Sequence, residues 1–106
     1  MRYEIRLTPN AKADLSSIFE YIAYDLQSIQ NAVGQLDRLE QGIESLEQMP
    51  ERFRIYGKEP WRSRNLHIMP IDNYLVFYIP NHEKSIVTII RVIYGGRDID
   101  TQLNKM

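Results

Sequence analysis

A run near the C-terminus, SIVTIIRVIY at residues 85–94, has apolar residues at both odd-numbered and even-numbered positions. Its β-branched residues favour an extended strand. An alternating strand needs apolar cover on one face only, whereas this segment needs it on both faces. We therefore predict that it is a central strand of a sheet, covered on each side.

Three further segments have the pattern of strands. Residues 3–7, YEIRL, alternate apolar and polar side chains, which is typical of a half-buried strand. Two more, RSRNLHIM at 62–69 and NYLVFYI at 73–79, precede the last strand. The segments PIDN and PNHEK separate these strands, and both open with proline and contain turn residues. Such short connections predict antiparallel hairpins.

Two amphipathic helices are predicted between the first and second strands. Thr8 followed by Pro9 is a helix start signal, and apolar residues then recur at helical spacing as far as Leu26. Ser28 caps the second predicted helix, which Pro50 ends. Its apolar residues form a short heptad-like seam. This seam either packs against the neighbouring helix and the sheet or receives an external helical partner.

The predicted order of elements is β-α-α-β-β-β, an α+β fold in which a helical hairpin packs on a mainly antiparallel four-stranded sheet. Residues 1–106 are predicted to form a single domain, because no repeat, linker or low-complexity tract divides them. The two helices cover one face of the sheet. The remaining chain is too short to cover the other face, which we expect to be partly open or filled by a partner.

The composition argues against several kinds of site. The chain has no cysteine, which excludes disulfides and thiolate chemistry. Its two histidines, His67 and His82, lack the spacing of metal ligands, and no metal or other cofactor is predicted. No apolar run reaches the ~18 residues of a membrane span and no signal peptide is visible, so we expect no membrane contact and a cytoplasmic location.

Charge is divided along the chain, although the formal net charge is only -1. Residues 11–50 contain two basic and seven acidic residues, a net charge of -5, whereas residues 51–106 contain nine basic and six acidic residues, a net charge of +3. A basic face suits an anionic partner. The same charges are also typical of an ordinary solvated surface.

The basic part of the chain also contains aromatic residues. Arg62 and Arg64 lie close to Trp61, and further arginines and aromatic residues precede them in a predicted loop at 51–62. Guanidinium groups bind phosphate and aromatic rings stack on bases, so this segment fits a nucleic-acid surface. It fits an interface with an acidic protein segment as well.

Arg91, His67 and His82 each leave alternatives open. If Arg91 is buried within its apolar strand, either a nearby carboxylate pairs with it or it faces the open side of the sheet as a functional cation. His67, on a predicted strand, either serves in acid–base chemistry or is a plain surface or half-buried residue. His82 is expected to be solvated in its turn.

The last predicted strand ends in RVIYGGRDI at 91–99, where Arg97 follows two glycines. Glycines allow the chain to leave a strand with unusual backbone angles, and they keep side chains away from the arginine. No helix is predicted after this turn. A phosphate-binding glycine loop is excluded because the motif is too short.

Four stretches occur in order along the chain: LTPNAKADLSSIFEYI, IESLEQMP, NYLVFYIP and IIRVIYGGRDI. They resemble the RelE/ParE superfamily of bacterial toxins from type II toxin–antitoxin systems, and the chain is more similar to ParE-like, plasmid-stabilisation members. The resemblance covers nearly the whole chain and implies a compact β-α-α-β-β-β fold. It also implies a cognate antitoxin that lays helices and an extended segment over the toxin in a hetero-oligomer.

The resemblance to RelE-like members implies cleavage of mRNA on the ribosome. In that reaction cations hold the scissile phosphate and an acid–base group moves protons. For this chain it implies Arg64 and Arg97 as the cations and His67 as the acid–base group. Two other positions that the RelE pattern gives to catalytic residues are occupied here by Leu75 and Leu103.

The resemblance to ParE-like members implies binding and poisoning of DNA gyrase, without that catalytic set. We predict a toxin that arrests growth by ParE-like inhibition of gyrase. The alternatives are a ribosome-dependent mRNA endonuclease and a family member that has lost toxicity and acts as a binding or regulatory module. The residues predicted to bind the target or the antitoxin are Arg62, Arg64, Arg91, Arg97, Trp61 and Tyr94.

Overall fold

Four strands form a mixed sheet in the computed structural model, which describes residues 2–96 and 98–104. They are Glu4–Leu7 (β1), His67–Ile71 (β2), Tyr74–Asn81 (β3) and Ile86–Tyr94 (β4), and their order in the sheet is β1-β4-β3-β2. β1 runs parallel to β4, and the other two pairs are antiparallel. The predicted central position of the last strand is confirmed, because β4 lies between β1 and β3.

A helical hairpin follows β1, as predicted. Its helices are Pro9–Glu20 (α1) and Ile29–Glu44 (α2). The predicted first helix extends beyond α1 as a π-helical turn at Tyr21–Asp25, which leads into α2. Within the described residues, no helix is both long enough and apolar enough to cross a membrane.

Both helices begin at the capping residues that the sequence predicts. The Oγ of Thr8 accepts a hydrogen bond from the backbone N–H of Ala11 (3.0 Å) and donates one to the carbonyl of Ile90 in β4 (2.8 Å). The Oγ of Ser28 accepts from the backbone N–H of Asn31 (3.3 Å). Thr8 therefore fixes the start of α1 against the central strand as well as capping it.

The end of α2 continues into two short 3-10 turns, Ser45–Glu47 and Pro50–Arg52. The guanidinium of Arg52 turns back towards this helix end and donates to the carbonyl of Gln48 at 2.7 Å. A cation at the C-terminal end of a helix satisfies free carbonyls and interacts favourably with the helix dipole. Arg52 therefore stabilises the fold rather than adding to a free basic surface.

The main hydrophobic core lies between the helical hairpin and one face of the sheet. Its fully buried residues include Ala11, Leu39, Leu46, Val76, Tyr78, Val87 and Ile89. Three apolar residues that the sequence placed on the core stripes, Leu26, Ile29 and Val33, are instead exposed. Leu26 lies beyond the π-helical turn, and Ile29 and Val33 lie on the flank of α2, away from its buried face.

The second face of the sheet is covered in part by the chain itself, and Leu75, Ile79 and Ile90 on it stay only partly buried, in agreement with the expected partly open face. A second core cluster there contains Leu66, Ile68, Phe77, Ile93 and Leu103. Aromatic residues from the loop before β2 and a short C-terminal helix, Ile99–Asn104 (α3), pack against it. The packing of the loop and of the C-terminal segment against this face was not predicted, because both were taken to lack packed structure.

The segment RSRN at 62–65 is a turn rather than the start of a strand. The backbone N–H of Arg64 donates to the carbonyl of Trp61 (3.1 Å), and that of Asn65 donates to Arg62 (3.2 Å). Asn65 has a φ of 63°, a left-handed conformation that asparagine tolerates better than most residues. β2 therefore begins at His67.

The two proline-led segments predicted as turns begin within strands. Pro70 belongs to β2, where it lies in an edge strand that has room for a residue without an N–H group. Pro80 belongs to β3 and lies beyond the last pair that β3 makes with β2, His67 with Tyr78. The chain reverses only after each proline, so both hairpins form as predicted with shifted boundaries.

The helix α3 was not predicted. Asp98 caps it, since its carboxylate accepts hydrogen bonds from the backbone N–H of Thr101 (3.3 Å) and from the Thr101 hydroxyl (2.7 Å). These two hydrogen bonds, made with the charged form, lower the pKa of Asp98. Leu103 of α3 is fully buried against the second face of the sheet.

Candidate functional site

Two of the predicted basic residues, Arg62 and Arg64, lie on a turn before β2, residues 58–64, which we name the basic turn. The backbone N–H of Arg62 donates to the carbonyl of Lys58 (2.9 Å), and that of Leu66 donates to the carbonyl of Trp61 (3.2 Å). These bonds close the turn at both ends. The side chains of Arg62 and Arg64 therefore project from a backbone of defined conformation, and both are exposed.

A carboxylate inside the basic turn stabilises its shape. Glu59 accepts hydrogen bonds from the hydroxyl of Ser63 and from its backbone N–H, the latter at 2.7 Å. These hydrogen bonds lower the pKa of Glu59, and the charge of Arg62 adds to the effect. The carboxylate of Glu59 therefore bonds within the basic turn itself.

Arg64 and Trp61 form the aromatic part of the basic turn. The guanidinium carbon of Arg64 lies 5.0 Å from the centre of the Trp61 ring, a cation–π arrangement. The indole Nε1 of Trp61 donates to Oδ1 of Asn104 in α3 at 3.3 Å. The tryptophan is therefore held against α3 while the exposed guanidinium keeps hydrogen-bond donors available to an anionic partner.

A third exposed arginine lies near the basic turn. The carbonyl of Arg54 accepts from the backbone N–H of Ile68 at 2.9 Å, which places its chain along the outer edge of β2. In the described part of the chain, no carboxylate forms an ion pair with the side chains of Arg54, Arg62 or Arg64. Their positive charges are therefore available to a partner.

The remaining cation of the turn, Lys58, holds α3 in place. Its Nζ lies 2.6 Å from Oδ2 of Asp100, whose other carboxylate oxygen accepts from the hydroxyl of Tyr56. Lys58 and then Tyr56 lower the pKa of Asp100, and Asp100 in turn raises the pKa of Lys58. Burial, followed by the bond to Asp100, raises the pKa of Tyr56 to about 12.

Arg91 has a carboxylate partner, which was one of its two predicted alternatives. Its Nε lies 2.6 Å from Oδ2 of Asp14 in α1, and its Nη2 lies 2.9 Å from Oδ1. The two side chains are only 16% and 15% exposed. The Asp14 hydrogen bonds raise the pKa of Arg91. Its charge therefore stabilises the contact between α1 and β4 and is not free for a target.

His67 is buried at the start of β2, with 3% of its surface exposed. Its Nδ1 lies 2.9 Å from the carbonyl of Asn65, and its ring lies 5.3 Å from that of Tyr78. A side chain enclosed in this way does not reach a substrate on the surface. His82 is half-exposed at its turn, as expected, and contacts Tyr3 and Glu51.

Leu75 and Leu103 meet in the second core cluster. Leu103 is fully buried, and Leu75 is partly buried against the same group of side chains. These positions correspond, by the resemblance stated above, to catalytic residues of RelE-like proteins. Here both residues help to hold α3 on the sheet.

Arg97 lies outside the described residues, and its predicted role stays a prediction. Just before it, the backbone N–H of Gly95 donates to the carbonyl of Asn73 at 2.9 Å, which ties the end of β4 to the β2–β3 turn. Tyr94 is half-exposed and makes an edge-to-face contact with Tyr74, with ring centres 5.8 Å apart. The two glycines described have no positive φ, so the unusual backbone angles expected there are absent from them.

A groove of about 1080 Å³ lies between the helical hairpin and the adjoining ends of β3 and β4. Its exposed apolar lining includes Tyr21 and Leu26 from the hairpin and Tyr94 from β4. Of these, sequence reasoning singled out only Tyr94. Tyr21 lies off the core stripe of α1, and that position was the available signal for a surface role.

No group of three or more histidine or acidic residues in the described part of the chain is placed to hold a metal ion. The site residues named from the sequence are distributed over different places. Trp61, Arg62 and Arg64 lie together on the basic turn, whereas Tyr94 lines the groove. Arg91, in its ion pair with Asp14, lines the same groove.

The comparison with known families decides between general classes of protein. The family profile described as "ParE toxin of type II toxin-antitoxin system, parDE" matches residues 5–99. The chain belongs to the ParE toxin family. Membership in this family confirms the resemblance to RelE/ParE toxins. A comparison with curated protein sequences gave no significant match.

Solved structures share the fold of this ParE family member at low sequence identity. One, described as a chromosomal ParDE toxin–antitoxin system from P. aeruginosa, has a TM-score of 0.71 and 14% identity, and the match covers 88% of this chain and 96% of that chain. The RelBE2 toxin–antitoxin complex from Mycobacterium tuberculosis has a TM-score of 0.62 and 20% identity, over 89% and 99% of the two chains.

A free-state mutant of the E. coli toxin RelE has a TM-score of 0.67 and 14% identity, over 99% of this chain and 97% of that one. These likenesses confirm the α+β fold and the order β-α-α-β-β-β. The structure adds α3 at the end of that order.

Proposed function

We propose that this chain is the toxin of a type II toxin–antitoxin system, that it arrests growth by inhibiting DNA gyrase, and that a cognate antitoxin neutralises it. The observation that carries this proposal is the match of the ParE toxin family to residues 5–99. The toxin acts in the cytoplasm, where gyrase works. A plasmid-stabilisation role follows if the gene pair is carried on a plasmid.

The placement of the residues expected for RNA cleavage supports inhibition by binding. His67 is buried, and Leu75 and Leu103 lie in the second core cluster. A general acid or base must come within hydrogen-bond distance of the proton it transfers. A toxin that acts by binding needs no acid–base group at these positions. The buried His67 and the leucines Leu75 and Leu103 are therefore compatible with inhibition by binding.

We assign the target contact to the basic turn and its neighbouring arginine. Arg54, Arg62 and Arg64 are exposed and carry charge that is not taken up by ion pairs in the described residues. Trp61 lies beneath one of these guanidinium groups. Arginine beside a large aromatic residue is the combination enriched at the energetic centres of interfaces.

We assign the antitoxin contact to the groove between the hairpin and the ends of β3 and β4. An antitoxin segment was expected on the partly open sheet face, but α3 and the loop before β2 already cover much of that face. The groove is an open concavity of about 1080 Å³, and Tyr21 and Tyr94 give it an exposed aromatic lining. An amphipathic segment would bury these rings, which is the usual role of tyrosine in an interface.

The second candidate is a ribosome-dependent mRNA endonuclease. The exposed arginines beside Trp61 favour it, because guanidinium and indole groups bind phosphate and stack on bases. In that function Arg64 and Arg97 would hold the phosphate, and the acid–base group would have to be a residue other than the buried His67. A third candidate is a non-toxic family member that acts as a binding or regulatory module.

Induced expression of the chain in bacteria separates the three candidates. Gyrase inhibition predicts a DNA-damage response without transcript cleavage, together with loss of supercoiling by purified gyrase when the purified chain is added. Cleavage of transcripts at the ribosomal A site would overturn the proposal in favour of the endonuclease. Normal growth with soluble, folded protein would leave the non-toxic candidate.

A charge-reversed variant tests the assigned surface. Arg64→Glu should greatly weaken the effect on supercoiling, whereas Lys84→Glu, the same change of charge at an exposed cation of the β3–β4 turn, should leave it unchanged. Equal loss in both variants would show that the effect depends on net charge and not on the basic turn.

A further inference from the structure

One flank of the helical hairpin has apolar residues that the core does not use. Ile29 and Val33 of α2 are 62% and 46% exposed. A cleft of about 430 Å³ lies between α1 and α2, and its apolar lining is formed by the half-buried Leu15, Phe19 and Leu36. Ile29 and Val33 precede Leu36 by seven and three residues, so they lie on the same side of α2. The exposed side chains of Ile29 and Val33 extend the half-buried apolar lining of the cleft, and grouped apolar surface of this kind marks an interaction site.

Residues of opposite charge border the cleft along α1. Lys12, Ser16 and Glu20 are exposed, and they follow one another at intervals of four residues, so they lie in one row on the helix. With a rise of about 1.5 Å per residue, each charged residue is about 6 Å from Ser16 along the helix axis. The row therefore has a cation on one side of a small residue and an anion at the same distance on the other.

This row is complementary to itself in an antiparallel arrangement. If a second α1 lies across the first with a two-fold axis at Ser16, Lys12 of each copy faces Glu20 of the other, and both ion pairs form at once. A parallel arrangement would put like charges opposite each other. Phe19, on the neighbouring row, would then be covered by apolar side chains of the other copy.

We propose that this chain forms a symmetric homodimer through this flank of the hairpin, with α1 antiparallel to α1 of the second copy. The cleft is occupied by a second copy because the row from Lys12 to Glu20 is complementary in charge to the same row of another copy. No other partner has to be assumed. The contact leaves the basic turn and the groove uncovered, since neither shares residues with the cleft.

Sedimentation velocity of the purified chain tests the proposal over about 1 µM to about 1 mM protein, the range in which a modest interface dissociates. The unmodified chain should show a monomer–dimer equilibrium that depends on concentration. Lys12→Glu and Glu20→Lys should each raise the dimer dissociation constant about tenfold or more, because like charges then face each other twice. Lys84→Glu, with the same charge change elsewhere, should have no effect.

Two exchanges make the test specific for this geometry. The double variant Lys12→Glu with Glu20→Lys should dimerise like the unmodified chain, because both pairs are restored with their signs exchanged. An equimolar mixture of the two single variants should form a heterodimer, since every contact between them is then between opposite charges. Circular dichroism establishes that each variant is folded.

Three results would overturn the proposal. A chain that stays monomeric throughout the concentration range excludes the dimer. A dimer that the exchanges leave unchanged excludes the contact between the two copies of α1. A dimer that Glu40→Lys weakens and Glu20→Lys does not would place α1 of one copy over α2 of the other, because Glu40 borders the same cleft from α2.

Discussion

Asp14 of α1 holds the guanidinium of Arg91 of β4 through two hydrogen bonds, of 2.6 and 2.9 Å. The same carboxylate also accepts from the backbone N–H of Val92 at 2.9 Å, and Arg91 donates to the carbonyl of Gln102 in α3 at 3.2 Å. One ion pair therefore joins the helical hairpin, the central strand and the C-terminal helix.

Asp14→Ala should destabilise the fold by about 3 kcal/mol, because it leaves a largely buried guanidinium and a backbone N–H without their acceptor. Urea unfolding at neutral pH measures the change. Glu4→Ala, which removes the exposed partner of Arg6, is the matched control and should cost less than about 0.5 kcal/mol. Equal costs for the two variants would show that the inner pair is no more important than a surface pair.

The features that were predictable from sequence depend on local patterns. The position of β4 follows from its apolar residues on both faces, and the starts of α1 and α2 follow from the capping chemistry of Thr8 and Ser28. Partners that are distant along the chain could not be predicted. Asp14 and Arg91 are 77 residues apart, and no spacing rule connects them.

The partial cover of the second face of the sheet could not be predicted for a related reason. α3 has six residues, too few to show a helical period, and Leu103 is buried only because the sheet lies beneath it. Residues 62–64 of the basic turn were taken for the start of a strand because alternation was extended through Asn65, whose left-handed conformation ends the pattern. The grouping of Trp61 with Arg64 was visible in sequence, whereas the groove required the fold.

Tyr78→Phe should cost about 1–2 kcal/mol at neutral pH, because the buried hydroxyl of Tyr78 donates to the carbonyl of Pro50 at 2.5 Å and no other group replaces it. Burial raises the pKa of Tyr78 from 10.0 to about 12. A raised pKa gives stability that is complete below pH 10.0 and is lost as the pH rises towards 12.

The difference between the unmodified chain and Tyr78→Phe should therefore shrink as the pH rises through that window. Urea unfolding at a series of pH values measures it. Tyr56, whose pKa is also raised to about 12, titrates in both proteins. Its ionisation therefore changes the free energy of unfolding of both proteins with pH in the same way. A constant difference across the window would show that ionisation of Tyr78 does not oppose folding.

Acid should release α3 from the basic turn. The bonds from Lys58 and Tyr56 lower the pKa of Asp100 below 3.8, so the stability they provide is present above pH 3.8 and is lost as the pH falls through the lowered value. Trp61, the single tryptophan, contacts Asn104 of α3 and reports the change through its fluorescence.

Asp100→Asn is the matched variant for that titration. It removes the charge at every pH, so its fluorescence should change less with acid than that of the unmodified chain. Asp98, whose pKa is also lowered, still titrates in this variant and accounts for a residual change. An acid transition of unaltered size in Asp100→Asn would mean that Asp100 does not hold α3.

Tyr94→Ala should weaken antitoxin binding about tenfold or more, because Tyr94 gives the groove an exposed ring at the end of β4 and large aromatic residues contribute strongly at interfaces. Tyr24→Ala is the control, since Tyr24 is 67% exposed on the π-helical turn and does not line the groove. Calorimetric titration with the purified cognate antitoxin measures both affinities. Retained affinity in Tyr94→Ala, or an equal loss in Tyr24→Ala, would move the antitoxin contact to another surface. Tyr94 is 47% exposed, so urea unfolding should show only a small change in stability, and a weaker complex would then report the lost contact itself.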